Sequence, residues 1–219
     1  MLTYQDIKKN DAIKTYIKKA DETLAALGYT EHSFAHVGKV SEIAKYILET
    51  LNYPQREIEL AQIAGYMHDI GNIVNREEHA QSGAVMAFRI LDQLGASPEE
   101  NAIIISAIGN HDEGTAVPVN PIAAALILAD KTDVRRSRVR NRDLSTFDIH
   151  DRVNYAVEES HVMINNDNTI FQLSLTIDTS ISPVMDYFEI FLERMILCKK
   201  AANRLDMSFE LVINSQKVL

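Results

Sequence analysis

An apolar helical pattern that starts at Pro54 and runs through Leu60 and Ala64 ends on His68-Asp69 and is cut off at Gly71. A helix face that should close on another aliphatic residue closes instead on an imidazole, with a carboxylate next to it in the chain. The same exception recurs along the chain. His36 heads the stripe Val40, Ile43, Ile47 and Leu51, and His79 heads Gly83, Met86, Ile90 and Leu94. His111 follows Ile104 and Ile108, and Asp130 follows Ile122 and Leu126. Spacing of three and four residues predicts helices with one buried face, and a polar group on such a face is costly unless it has a partner. Helix after helix presenting imidazole or carboxylate to one core asks for a common partner. A pair of divalent ions is the natural one: imidazole suits Fe, Mn, Ni and Zn, a carboxylate can bridge with its two oxygens, and facing helices are an established way to build such a site.

Helix boundaries follow from local signals. A first helix spans 11–27 and stops at Gly28; the next runs from Ser33 to Leu51. Gly71 is placed to cap the helix that Pro54 opens, Gly95 ends the one that begins near His79, and Ser97-Pro98-Glu99-Glu100 and Asn120-Pro121 open two more. After about Asn165 the period changes. Phe171, Leu173, Leu175 and Ile177 alternate with polar residues, which predicts a strand with one buried face. Ser182-Pro183 then opens a helix carrying Phe188, Phe191, Met195 and Cys198, and Phe209, Leu211 and Ile213 form a further strand. His161 to Ile164 can pair with the first strand as a hairpin. The expected fold is mainly α: a helical bundle over 1–145 and a small α+β unit over 146–219, the latter packed on the bundle or on a second copy in a homodimer.

Composition excludes several partners. The chain has 219 residues and a net charge of −9, from 22 basic and 31 acidic residues, which argues against binding duplex DNA or anionic membrane. Its single cysteine forms no internal disulfide and fits a reducing cytoplasm; in an apolar helical pattern it reads as a buried small hydrophobe. The N-terminus does not read as a signal peptide, and the longest apolar run, Ile122 to Ala129, is too short to span a bilayer. Against this acidic background, Lys131 to Arg142 carries six basic residues. Arg135 and Arg136 either hold substrate phosphate, which guanidinium matches bidentately, or form a solvated helix end or ion pairs with acidic partners. His32 lies one turn before His36 and either supports that residue, touches substrate, or is a partly exposed histidine at the helix start. His150 and His161 read as ordinary satisfied core histidines.

His36-x-x-Lys39-Val40, His68-Asp69-Ile70-Gly71 and Asp130-Lys131 together resemble the H…HD…D signature of HD-domain phosphohydrolases. His79-Ala80-x-x-Gly83 and Asn110-His111-Asp112 resemble the additional histidine segments of the two-metal branches, among them the HD-GYP phosphodiesterases. The resemblance spans about residues 30–135 and implies an all-helical domain. It also implies that His36, His68, Asp69 and Asp130 bind metal, that Asp69 bridges, and that His79 and His111 complete a second ion. Asn72 stands where HD-GYP proteins carry lysine, Asn110 replaces a histidine, and 114–118 lacks their tripeptide. A third metal and cyclic di-GMP specificity therefore lie outside what the resemblance implies.

With two divalent ions, the expected function is a metal-dependent phosphohydrolase or phosphodiesterase acting on a small phosphorylated metabolite or nucleotide. Its nucleophile would be a metal-bridging hydroxide. Asp69 would hold the bridge, Lys131 or Asp112 would serve the leaving oxygen, and Lys131, His32, Arg135 and Arg136 would meet the substrate. Two other readings use the same residues: a di-iron oxygenase, and a non-catalytic, metal-stabilised nucleotide sensor.

Overall fold

A computed structural model describes residues 1–219. Seven helices build the bundle: α1 (Tyr4–Lys9), α2 (Asp11–Ala26), α3 (Phe34–Thr50), α4 (Gln55–Met67), α5 (His79–Gln93), α6 (Pro98–Gly109) and α7 (Pro121–Lys131). Side-chain caps begin most of them. Ser33, Ser97 and Asn120 each accept a hydrogen bond from a backbone N–H in the first turn of α3, α6 and α7. The expected first helix is α2; α1 precedes it outside the expected span, and Asn10 both ends α1 and caps α2.

Helix α7 is the centre of the bundle. Ile122 to Ala129 are all buried, so this run is apolar all round because it is covered all round. The short turns at 51–54 and 94–97 force α3 against α4 and α5 against α6 as antiparallel pairs. The start of α3 and the end of α4 therefore lie at one end of the bundle, as do the start of α5 and the end of α6. The longer segment 110–120 allows a return before α7. An eleven-residue helix is about 16 Å long, well within the reach of that many extended residues, so the end of α7 can come back to the same place.

The second part consists of α8 (Ile149–Ala156), β1 (Val157–Ile164), β2 (Ile170–Ile177), α9 (Val184–Arg204), β3 (Ser208–Ile213) and β4 (Gln216–Lys217). The sheet order is β1-β2-β3-β4. β1 and β2 form the expected antiparallel hairpin, while β2 and β3 are parallel, so α9 is their crossover. Phe171, Leu173, Leu175 and Ile177 are buried, as their alternation predicts. The fold is mainly α with a small C-terminal α+β unit, and no helix is long and apolar enough to cross a membrane.

Two local expectations change. Gly71 does not cap α4: it lies in a 3-10 turn, Ile70–Ile73, with ordinary negative φ. What it provides is room. A Cβ there would overlap the His79 carbonyl oxygen and lie 2.5 Å from Gly83 N. The buried stripe of α5 is accordingly His79, Gly83, Ala87 and Leu91, with Met86 and Ile90 flanking it and Leu94 37% exposed. Small residues face the turn because the backbones meet there.

Gly71→Ala is expected to destabilise the protein by at least about 2 kcal/mol through overpacking against backbone. Gly114→Ala, where an added Cβ meets nothing within 4 Å, should stay within about 0.5 kcal/mol. Guanidinium unfolding of the two variants checks both values.

Candidate metal centre

The shared end of the bundle gathers the expected residues. His36 sits in the first turn of α3, His68 and Asp69 follow α4, His79 opens α5, His111 follows α6, and Asp130 lies in the last turn of α7. His36, His68, Asp69, His79 and His111 are each 5% exposed or less. Their rings form a chain, with centroids 5.2 Å apart for His36–His68, 4.9 Å for His68–His111 and 5.0 Å for His79–His111.

One nitrogen of every ring is committed. His68 Nδ1 lies 2.8 Å from Gly65 O, His79 Nδ1 3.0 Å from Arg76 O, and His111 Nδ1 2.6 Å from Ile108 O. His36 Nδ1 lies 2.8 Å from Asp133 Oδ2. Carbonyl and carboxylate oxygens only accept, so each Nδ1 carries the hydrogen and each Nε2 is left to face the cluster. Orienting a ring through its far nitrogen in this way is what metal-binding histidines require.

The Nε2 atoms meet the two oxygens of Asp69 on opposite sides. Oδ2 lies 3.1 Å from His68 Nε2 and 3.5 Å from His36 Nε2. Asp130 Oδ1 closes this group, 3.3 Å from His36 Nε2 and 3.7 Å from His68 Nε2. Oδ1 of Asp69 lies 3.5 Å from His79 Nε2 and 3.9 Å from His111 Nε2, and those two nitrogens are 3.2 Å apart. Donors bound to one ion at about 2.1 Å stand roughly 3.0–3.5 Å from each other, close to these separations. His36 Nε2, His68 Nε2 and Asp69 Oδ2 are fully buried and make no hydrogen bond, although they converge. A divalent cation satisfies all three at once, so the donor set fits such a metal.

The electrostatics point the same way. Burial resists a proton on His68, yet Asp69 and Asp130 outweigh it and push the imidazole up to about 10. Burial likewise opposes charge on Asp69 and Asp130, and their cationic neighbours still hold both well below the usual carboxylate range. Without another cation, the cluster draws a proton. Burial lowers His79 and His111, so their facing nitrogens are neutral.

Residues beyond the six expected ligands surround this arrangement, with Lys131 and Asp112 of the expected set among them. Asp133, one helical turn past Asp130, is buried under Lys39 Nζ at 2.9 Å and Arg135 Nε at 2.8 Å. Asn72 Nδ2 donates to Asp69 Oδ1 at 2.9 Å and fixes the carboxylate plane. Arg76 Nη1 lies 3.2 Å from His79 Nε2. Lys131 Nζ joins Asp130 Oδ2 at 2.7 Å to Glu113 Oε2 at 2.9 Å, and Glu113 Oε1 continues to Arg194 Nε at 2.5 Å. Asp112 stands at the rim, 3.8 Å from His79 Nε2 and 4.0 Å from Lys131 Nζ, and burial raises its carboxyl. The spacing of Asp133 from Asp130 was a usable sequence signal; nothing local pointed to Arg194.

The arginine stripe divides. Arg135 pairs with Asp133 and Glu31, and Arg136 donates to Tyr155 O at 2.5 Å while lying over the Tyr155 ring. These two line a different hollow, away from the cluster. A cavity of about 430 Å³ beside the centre is lined instead by His32, Arg76, Arg138 and Arg194. His32 lies 5.3 Å from the His36 ring and accordingly faces this cavity. His150 and His161 are not core histidines: both are exposed, and His150 lines the cavity.

Residues 33–163 match the HD domain. The chain belongs to the HD domain family of metal-dependent phosphohydrolases. It is also 24% identical to the uncharacterized protein MJ1020 of Methanocaldococcus jannaschii, over 87% of each chain. That similarity reaches beyond the residues matched to the HD domain. Ribonuclease Y of Enterococcus faecalis is 26% identical over 54% of this chain, which corresponds to 21% of the ribonuclease.

Asp133→Ala should lower metal retention about 10- to 100-fold by releasing the His36 ring, with helix content unchanged. Metal analysis after graded dialysis, alongside circular dichroism, checks it.

Proposed function

We propose that this HD-domain protein is a phosphohydrolase or phosphodiesterase that acts on a small phosphorylated metabolite or nucleotide and carries two divalent transition ions, of Fe, Mn, Ni or Zn. The observation that supports it best is the division of Asp69: Oδ2 faces His36 and His68, and Oδ1 faces His79 and His111. A carboxylate so placed can serve one ion with each oxygen. Asp130 would complete the first set. When bound, the ions supply acidified water and neutralise phosphoryl charge.

The surrounding residues suit that chemistry. Lys131 keeps its charge because Asp130 and Glu113 outweigh burial, so it meets a phosphoryl or leaving oxygen as a fixed cation. Asp112 faces the same rim and is the group placed to pass a proton. His32, held through its Nδ1 by Thr30 O at 2.8 Å, turns its free nitrogen toward substrate. No serine or cysteine nucleophile is called for; Cys198 is fully buried. The name of the ribonuclease relative supports phosphoester chemistry, although the chain matches only 21% of that protein.

Asp69→Ala should cost both ions most of their affinity, whereas His79→Ala should spare one. Asp69→Asn keeps the shape without the anionic bridge, and turnover should fall by at least about a thousandfold. Metal analysis of the three variants, with a phosphatase and phosphodiesterase panel under Mn, Fe, Ni and Zn, tests the reading. Two retained ions and full activity in Asp69→Ala would remove it. Oxygen uptake by the iron-loaded protein without phosphate release would select the oxygenase chemistry instead.

A further inference from the structure

The cavity beside the metal centre is cationic in a chain whose net charge is −9. Arg76, Arg138 and Arg194 line it, from three separate segments. Two acids line it as well: Asp148 caps α8 by accepting from Asp151 N at 2.8 Å, and Asp151 Oδ2 accepts from Asn141 Nδ2 at 3.2 Å, so both keep their charge but neither is bonded to the three arginines. His32 adds no charge, because burial and the adjacent Arg138 keep it neutral.

The arginines are held and yet have donors to spare. Arg138 is 4% exposed; its Nε donates to Glu31 O at 2.9 Å and its Nη1 to Asp133 O at 2.8 Å, which leaves Nη2 without a protein acceptor. Arg194 lies over the Phe191 ring at 4.7 Å, and Glu113 takes its Nε at 2.5 Å. Both of its Nη nitrogens remain free. A guanidinium fixed by a ring on one side and a carboxylate at one nitrogen is oriented before any ligand arrives. The reacting phosphoryl group has the metal-binding set and Lys131 for its oxygens, so these free donors are surplus to it.

We infer that Arg194 and Arg138 bind a second anionic group of the substrate, a phosphate other than the one hydrolysed, and that the C-terminal unit thereby completes the substrate site. The inference rests on reading the metal centre as a phosphoester site. Arg194 lies on α9, outside the residues matched to the HD domain, so this recognition is a property of the chain's own architecture. The ligand class is a bisphosphorylated small molecule, such as a nucleoside bisphosphate.

Calorimetric titration of the full-length protein as purified, with AMP and with adenosine 3′,5′-bisphosphate as probes, tests it. Released phosphate is measured on the same samples. The bisphosphate should bind at least about tenfold more tightly than AMP, and Arg194→Gln should abolish that advantage. Arg142→Gln, an exposed arginine outside the cavity, should leave it intact. Equal affinity of the two probes for the wild type, an advantage that survives Arg194→Gln, or an equal loss in Arg142→Gln would overturn the proposal. If Arg194→Gln fails to fold by circular dichroism, Arg194→Lys decides: it keeps the pair with Glu113 but loses the forked donors, and should retain only part of the advantage. A full advantage there overturns the proposal as well. Binding that depends on Arg194 without hydrolysis in the wider phosphoester panel would sink the phosphohydrolase reading alone. Hydrolysis with no dependence on Arg194 would sink this inference alone.

Discussion

Everything in this molecule turns on four buried imidazoles that hold a proton on the side away from one another. His68, His79 and His111 each satisfy Nδ1 with a carbonyl three residues earlier in the chain, and His36 does so with Asp133. That local bond uses groups a helix end leaves over: the last carbonyls of α4 and α6 have no helical partner of their own. A histidine just past a helix therefore finds its orienting acceptor without any tertiary help, and its second nitrogen is aimed into the bundle. The price is a core with converging lone pairs and carboxylate oxygens, several of them without a partner until a cation or a proton enters it.

Topology turns these local units into one centre. Two antiparallel pairs, α3 with α4 and α5 with α6, bring a start and an end of helix together at each step, and the long return before α7 adds Asp130 from above. Asp69 lies between the pairs because the turn after α4 packs directly on the start of α5. Gly71 and Gly83 make that packing possible, since a Cβ at Gly71 would overlap the backbone of α5. Close approach of backbones and the reach of one carboxylate to both sides are thus the same structural fact.

This division explains what was readable in the sequence. Helices, their caps and the alternating strand at Phe171 follow from local periodicity, and the histidines stood out because each interrupted an apolar stripe. Asp69 lay off those stripes and was readable only as the neighbour of His68 and through the resemblance to the HD signature. Asp133 was readable in principle, one turn beyond Asp130, but besides its near neighbour Arg135 its buried charge is met by Lys39 arriving from α3, which spacing does not reveal. Gly71 read as a helix cap because chain position alone cannot distinguish a glycine needed for its dihedral from one needed for the space above it. Arg135 and Arg136 stood nearest the centre in sequence, yet the chain turns after α7 and their guanidiniums meet Asp133 and Tyr155. Proximity along the chain is a poor guide once a helix has ended.

Arg194 is the clearest case of information that only the fold supplies. It lies more than sixty residues beyond Asp130 and reaches the centre because α9 packs beside α7 while crossing between parallel strands. Glu113 then links it through Lys131 to Asp130 in an unbroken line of opposite charges. Alternating charges of this kind stabilise one another only while all are in place, and removing one leaves a buried neighbour uncompensated. The sheet at the far end of the chain therefore has an electrostatic stake in the metal centre. Its helix delivers the cation that balances Glu113, Glu113 helps hold Lys131, and Lys131 sits against the outer oxygen of Asp130 whose inner oxygen faces His36 and His68.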